Sequence, residues 1–175
     1  KGLVKYDKDL KLVGDLAESW EVSSDGLTIT FKLRRGVKWQ DGREFTAEDV
    51  MFGYETIINP NTRTAYSGDF KEVQEARVAD PYTFRVVYKR PFAPGLASWT
   101  SLVVLPKHLL QGQDINTSTF SRNPVGNGPF RLKEWKTGEK IVLEANPQYY
   151  EGRPYLDGVV YRIIPDLATM FLELK

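Results

Sequence analysis

The sequence predicts an α+β fold in which mixed, mostly antiparallel sheets combine with a few helices. Three pairs of β-type segments, spanning 19–34, 73–88 and 130–145, are each joined by a short turn. Segments with helical spacing are fewer, and many of the 14 glycines and 10 prolines lie in the stretches between segments. Strands joined by such short turns pair antiparallel, so hairpins are favoured over parallel crossover units.

Alternating residues mark the first hairpin most clearly. Every second residue of one segment is apolar: Leu27, Ile29, Phe31 and Leu33. This period of two predicts a strand with one buried face, and the Ser-Ser-Asp-Gly turn at 23–26 precedes it. The other two hairpins turn at 80–82 and 136–139. Residues 159–164 are more continuously apolar, which predicts a strand inside a sheet.

The best-defined helix is predicted over about 47–58. Thr46 stands where an N-cap hydroxyl is expected, and Asp49 follows three residues later, as in a capping box. Phe45 before the cap and Val50 after it have the spacing of a hydrophobic staple. The predicted inward stripe of this helix consists of Val50, Tyr54, Ile57 and Ile58.

Shorter helices are predicted at 92–99, after Pro106 and after Asp166. In the last of these, four apolar residues keep helical spacing: Leu167, Met170, Phe171 and Leu174. No Gly or Pro ends that helix, and the chain starts at Lys1 without methionine. We therefore interpret the sequence as a piece of a longer protein, with any signal or partner domain outside it.

The composition excludes several classes of function. A formal net charge of +1 gives no electrostatic case for a nucleic-acid partner. The absence of cysteine excludes disulfides, thiolate metal sites and a cysteine nucleophile. His108 is the only histidine, so a multi-histidine metal site is impossible. No cofactor and no metal are predicted.

Four segments follow one another along the chain: 16–55, 59–66, 78–94 and 123–166. The first reads LAESWEVSSDGLTITFKLRRGVKWQDGREFTAEDVMFGYE, the second NPNTRTAY and the third VADPYTFRVVYKRPFAP. The fourth reads NPVGNGPFRLKEWKTGEKIVLEANPQYYEGRPYLDGVVYRIIPD. In this order they resemble the family 5 extracellular solute-binding proteins, which are the peptide- and nickel-binding receptors of ABC importers.

Two departures from the family pattern are mild. The chain has Gly126-Asn127-Gly128-Pro129 where the family usually has Gly-Thr-Gly-Pro, and Tyr149-Tyr150 where it has a Tyr-Trp pair. The larger departure is length, because family members are much longer than this chain. The resemblance implies part of the first lobe of a two-lobed periplasmic binding protein. Residues 1–130 would form the small accessory domain, and 131–175 the return segment towards the main part of that lobe.

The implied function is that of the substrate-binding component of an ABC importer, which binds peptides between two lobes and is not an enzyme. Its partners would be the peptide or another small solute, the ABC permease in the membrane and the missing second lobe. The expected location is periplasmic or extracellular, with a lipid anchor left open. A non-peptide cargo such as a nickel chelate or an oligosaccharide is the alternative within the family.

Five residues are candidates for ligand binding. Tyr66 aligns with a loop aromatic that faces the peptide in relatives, although it also fits a tyrosine packed on its own loop. The glycine turn suits either a pocket wall, with Asn127 and Gly128 meeting the ligand, or a tight crossover using positive φ. Trp99 and Ser101 lie in a segment that approaches the cleft in relatives. For Trp99, packing in the core is the alternative interpretation.

A carboxylate-dependent glycoside hydrolase is the alternative from another class. Four acids lie close together near Trp39: Asp41, Glu44, Glu48 and Asp49. Helix capping already accounts for Glu48 and Asp49, so no catalytic residue is predicted. A surface or capping role is expected for His108, and core or hairpin packing for three tryptophans: Trp20, Trp39 and Trp135. Two roles stay open for Arg122 and Asn123: a salt bridge across a hinge, or contact with a ligand carboxylate.

Overall fold

The protein is described by a computed structural model over residues 1–173. The strands are β1 (Val4–Tyr6), β2 (Leu12–Gly14), β3 (Ala17–Val22), β4 (Thr28–Leu33), β5 (Val73–Asp80), β6 (Thr83–Tyr88), β7 (Phe130–Lys136), β8 (Lys140–Ala145) and β9 (Gly158–Arg162). The helices are α1 (Ala47–Ile58), α2 (Gly95–Ser98), α3 (Lys107–Leu110) and α4 (Leu167–Leu172). Single 3₁₀ turns occupy Ser67–Phe70 and Thr119–Ser121.

The strands form three antiparallel sheets, which confirms the predicted α+β class. The hairpin β1–β2 stands alone, the order β3-β4-β6-β5 forms the main sheet, and β7-β8-β9 forms the third. All three predicted hairpins are present: β3–β4, β5–β6 and β7–β8. The β1–β2 hairpin was not predicted, because strands of three residues are too short to show a period.

The prediction that 159–164 lies inside a sheet is wrong for the described chain. Strand β9 pairs with β8 alone and is therefore an edge strand. Its apolar side chains Val160 and Tyr161 are 58% and 55% exposed. Continuous apolar character predicts that both faces of a strand are covered. It does not show whether both edges of the strand pair with other strands.

The core lies between the main sheet and helix α1. The inward face of β4 consists of Ile29, Phe31 and Leu33, all buried. Trp99, which is fully buried, lies at the centre of an aromatic cluster with ring-centroid distances of 5.2–5.9 Å. Its neighbours in that cluster are Phe31, Tyr54, Phe70 and Phe84. Such tilted and edge-on pairs add stability beyond the burial of area.

Helix α1 begins and runs where it was predicted. The N–H of Thr46 donates to the Asp49 carboxylate at 3.0 Å, as the predicted capping box requires. Val50 and Tyr54 are buried and Ile57 is half-buried, but Ile58 is 41% exposed. The predicted stripe therefore ends one residue early, because the helix stops at Ile58.

The shorter helices differ more from their predictions. Helix α2 covers only Gly95–Ser98 of the predicted 92–99, since Pro94 occupies the N-cap. Helix α3 follows Pro106 as predicted, and α4 follows the Asp166 cap. Leu174, the last member of the predicted α4 stripe, lies outside the described residues.

A buried carboxylate connects the chain's start to the loop after β8. Asp15 is 3% exposed and accepts a hydrogen bond from the Tyr150 hydroxyl at 2.6 Å. The ammonium groups of Lys1 and Lys5 each lie 3.3 Å from the same carboxylate oxygen. Burial alone would raise the pKa of Asp15, but the Tyr150 hydroxyl and the two lysines outweigh it and hold that pKa below its usual range. The ionised carboxylate therefore stabilises the fold.

Replacing Asp15 by Asn should lower the free energy of unfolding by about 2 kcal/mol at neutral pH, because a charge-assisted contact is lost. A lowered pKa contributes stability that is present above the ordinary value of 3.8 and is lost as pH falls through the folded-state value. The difference between wild type and Asp15→Asn should accordingly shrink in urea titrations at about pH 3. Glu21→Gln, at an exposed position of β3, is the control for simple charge removal. A deficit that is the same at both pH values would contradict this role of Asp15.

Candidate functional site

A cavity of about 400 Å³ lies between the β7–β8 hairpin and the segments 103–106 and 124–128. Its walls are mostly apolar and include Trp39, Val103, Phe130, Leu132, Ile141 and Leu143. The polar residues in the walls are Lys1, Gln40 and Asn127. This combination of apolar surface with a few polar groups is typical of a small-molecule or peptide side-chain pocket.

One buried carboxylate fixes the Trp39 side of the cavity. Asp49, which is 5% exposed, accepts from the Trp39 indole N–H at 3.2 Å. It also accepts from the backbone N–H of Lys107 at 3.0 Å and from that of Thr46. The single side chain thus aligns the start of α1, the indole of Trp39 and the segment that carries Pro106, and two of these three are cavity walls.

The turn at 126–129 is held from two sides. The Gln40 backbone N–H donates to the Gly126 carbonyl at 2.8 Å, and the Gly126 N–H donates to Gln40 Oε1 at 3.0 Å. Gln40 Nε2 donates to the Phe130 carbonyl at 2.9 Å. On the other side, Asn146 donates through Nδ2 to the Gly128 carbonyl and through its backbone N–H to the Pro129 carbonyl. These bonds give the turn one defined conformation.

Within this turn Asn127 is 3% exposed, and among residues 1–173 its Nδ2 has no hydrogen-bond partner. Neither Gly126 nor Gly128 adopts the positive φ that a tight crossover would use. A Cβ at Gly128 would meet nothing within 4 Å. The space beside Gly128 is therefore open, and neither glycine is needed for an unusual backbone conformation.

The structure brings together two of the five predicted ligand-binding residues. Asn127 and Gly128 both line the cavity. Tyr66 is 56% exposed just before the Ser67–Phe70 turn, and Ser101 is half-buried; neither lines this cavity. Trp99 lies in the core instead, where its indole N–H donates to the Tyr88 hydroxyl at 2.9 Å, so its side chain offers no surface to a ligand.

Sequence reasoning missed the residues that hold the turn. Gln40 and Asn146 lie far from 126–129 in the chain, and no local pattern connects them to it. Trp39, predicted as core, is buried and also lines the cavity. Trp135 is 37% exposed, lines the cavity, and has the Arg122 guanidinium 4.5 Å from its ring centroid. Arg122 thus has an aromatic partner that its sequence position did not indicate.

The four acids near Trp39 all have partners within the chain. Besides Asp49, Asp41 lies 2.6 Å from His108 Nε2, Glu44 accepts from the Tyr82 hydroxyl at 2.6 Å, and Glu48 pairs with Lys107 at 2.6 Å. Burial alone would raise the pKa of Asp41, but the His108 hydrogen bond, the backbone N–H of Arg43 and the charge of His108 together outweigh it and keep that pKa below its usual range. None of these acids lines the apolar cavity.

Residues 1–173 contain no group of three or more His, Cys, Asp or Glu side chains placed to hold a metal ion. Within the same part of the chain, none of the helices is both long enough and apolar enough to span a membrane.

Two proteins of known function are similar to this chain in sequence or in fold. Oligopeptide-binding protein AppA from Bacillus subtilis (strain 168) is 36% identical over 180 residues, covering 99% of this chain and 33% of AppA. The structure of AppA from B. subtilis with a nonapeptide gives a TM-score of 0.92 at 34% identity, covering 99% of this chain and 36% of that one. NikZ from Campylobacter jejuni with Ni(L-His) also gives 0.92 at 34% identity, covering 99% and 35%.

These likenesses define the fold as part of a solute-binding protein. Residues 11–175 match the family described as bacterial extracellular solute-binding proteins, family 5 Middle. The chain belongs to the bacterial extracellular solute-binding proteins of family 5. It spans about a third of the length of the curated relatives that it matches.

Replacing Asp49 by Ala should lower the free energy of unfolding by about 3 kcal/mol, because three N–H donors, one buried and two partly buried, lose a charged acceptor. Glu48→Ala, one position away and exposed, should cost no more than about 0.5 kcal/mol, since its ion pair with Lys107 lies in solvent. Denaturant unfolding of both variants, followed by circular dichroism and by the fluorescence of the four tryptophans, measures the difference. Equal effects of the two substitutions would show that Asp49 does not hold these segments.

Proposed function

We propose that this chain is part of the first lobe of a substrate-binding component of an ABC importer that binds peptides between two lobes. The observation that carries this proposal is the TM-score of 0.92 with AppA, a protein whose structure contains a bound nonapeptide. The chain covers 36% of that protein. The peptide, the permease and the second lobe are therefore assigned to the whole protein and not to these residues alone.

The cavity supports a peptide as the cargo. It offers apolar walls with Asn127 as its polar contact, and peptide receptors need room for a side chain beside a few main-chain contacts. A nickel chelate is the alternative, because NikZ matches with the same TM-score and its structure contains Ni(L-His). The described cavity favours the peptide, because its lining includes no His, Asp or Glu side chain that could ligate the metal of such a chelate.

A catalytic function is not proposed. The four acids that suggested a glycoside hydrolase are hydrogen-bonded or ion-paired within the chain. Asp49 in particular is buried and bonded to three backbone or indole donors, so it is a structural residue. The family description likewise names solute binding.

The proposal also covers organisation and location. We assign 1–130 to the small accessory domain and 131–175 to the return segment, because the third sheet starts at Phe130 and has its own strand pairing. Tyr66 and Ser101 are proposed as further ligand contacts outside the cavity. The whole protein would lie in the periplasm or outside the cell, with or without a lipid anchor.

Binding between lobes predicts that the affinity for peptides depends on both lobes. In isothermal titration calorimetry, the full-length protein should bind alanine-based peptides between the tripeptide and the nonapeptide, while the 175-residue chain should bind them weakly or undetectably. The nickel–histidine complex is the comparison ligand for the full-length protein. A submicromolar dissociation constant for the 175-residue chain would contradict the two-lobe mechanism. Binding of the nickel complex without any peptide binding would contradict the proposed cargo.

A further inference from the structure

The cavity contains one polar group that the fold leaves unused. The side-chain amide of Gln40 is already hydrogen-bonded to Gly126 and Phe130, so we do not assign it to a ligand. Asn127 differs, because its Nδ2 is buried and lacks a partner within residues 1–173. A buried donor without an acceptor costs free energy, and the turn around it is fixed by five hydrogen bonds with Gln40 and Asn146. The backbone on both sides of Asn127 is thus fixed, and its side-chain amide has to turn towards the cavity to donate to an acceptor from outside the described chain.

The surroundings of that donor define the rest of the ligand. Trp39, Phe130, Leu132 and Leu143 line the same space, which measures about 400 Å³. That volume accommodates a large apolar or aromatic side chain together with the main-chain atoms beside it. A charged side chain would lose its hydration against these walls, and Lys1, the one cationic residue lining the described cavity, already lies 3.3 Å from Asp15.

We propose that this cavity is a subsite for one apolar side chain of the bound peptide, and that Asn127 Nδ2 donates a hydrogen bond to the adjacent main-chain carbonyl oxygen. This inference rests on the proposed function, since it requires a peptide in the cleft. Asn127 then fixes the register of the peptide, and the apolar walls select the side chain at one position of that register.

The first arm of the test measures selectivity in the full-length protein. The probes are alanine pentapeptides in which each position in turn is replaced by Phe or by Asp, with affinity measured by calorimetry. At one position the wild-type protein should prefer Phe to Asp by about tenfold or more, which corresponds to one desolvated contact. Val103→Trp fills the cavity from an exposed position and should abolish that preference. Val22→Trp, at an exposed valine outside the cavity, is the matched control and should leave the preference intact.

The second arm tests the donor. Asn127→Asp keeps the shape of the side chain but replaces the N–H donor with a carboxylate oxygen, so all of the peptides should bind about tenfold more weakly. Asn61→Asp adds the same charge at an exposed loop position and should change affinity little. Thermal unfolding of each variant separates a binding defect from a folding defect.

The outcomes distinguish the inference from the function on which it rests. If peptides bind but their selectivity is the same in wild type and Val103→Trp, the subsite is elsewhere and the cavity is filled by the protein itself. If Asn127→Asp binds every pentapeptide as tightly as Asn61→Asp does, Asn127 is not the donor. If the wild-type protein binds the nickel–histidine complex and no pentapeptide, the proposed function fails, and this inference fails with it.

Discussion

The hydrogen bonds that converge on the Asp49 carboxylate are the constraint on which the cavity depends. The start of helix α1, the indole of Trp39 and the segment before α3 have little in common in sequence, and one buried acid satisfies a donor from each. The low-dielectric core makes such charge-assisted bonds strong and makes their loss costly. The capping box is therefore more than a helix start, because its acid also places the wall of the cavity.

Two further polar groups extend this organisation across the molecule. Gln40 joins the segment after Trp39 to the turn at 126–129, and Asp15 joins the β2–β3 connection to the loop that carries Tyr150. Each of these contacts connects residues more than eighty positions apart, since Gln40 and Gly126 are separated by 86 positions and Asp15 and Tyr150 by 135. Buried hydrogen bonds are directional, so they define how the first and third sheets are placed around the apolar core.

Local sequence patterns predicted the hairpins and helix α1 well. They could not predict contacts between segments that are distant in the chain. The alternation in 27–33 and the Thr46–Asp49 spacing are properties of a few neighbouring residues. The β1–β2 hairpin is too short to show a period, and the edge position of β9 depends on which strand lies beside it. At the site, the glycine turn in the sequence predicted Asn127 and Gly128, and both line the cavity. Trp99 lies in the core because it packs against aromatic rings from four other segments, which no local pattern shows.

Membership of family 5 gives this arrangement its context. The cavity, where Asn127 Nδ2 lacks a partner within residues 1–173, is the site at which we propose that a peptide is recognised. The central claim is that the protein containing these residues carries peptides. Native mass spectrometry of the full-length protein, purified without added ligand and then partly denatured, tests this claim most directly. A ladder of short peptide masses should be released. Release of a single non-peptide mass, such as a metal chelate or a sugar, would contradict it.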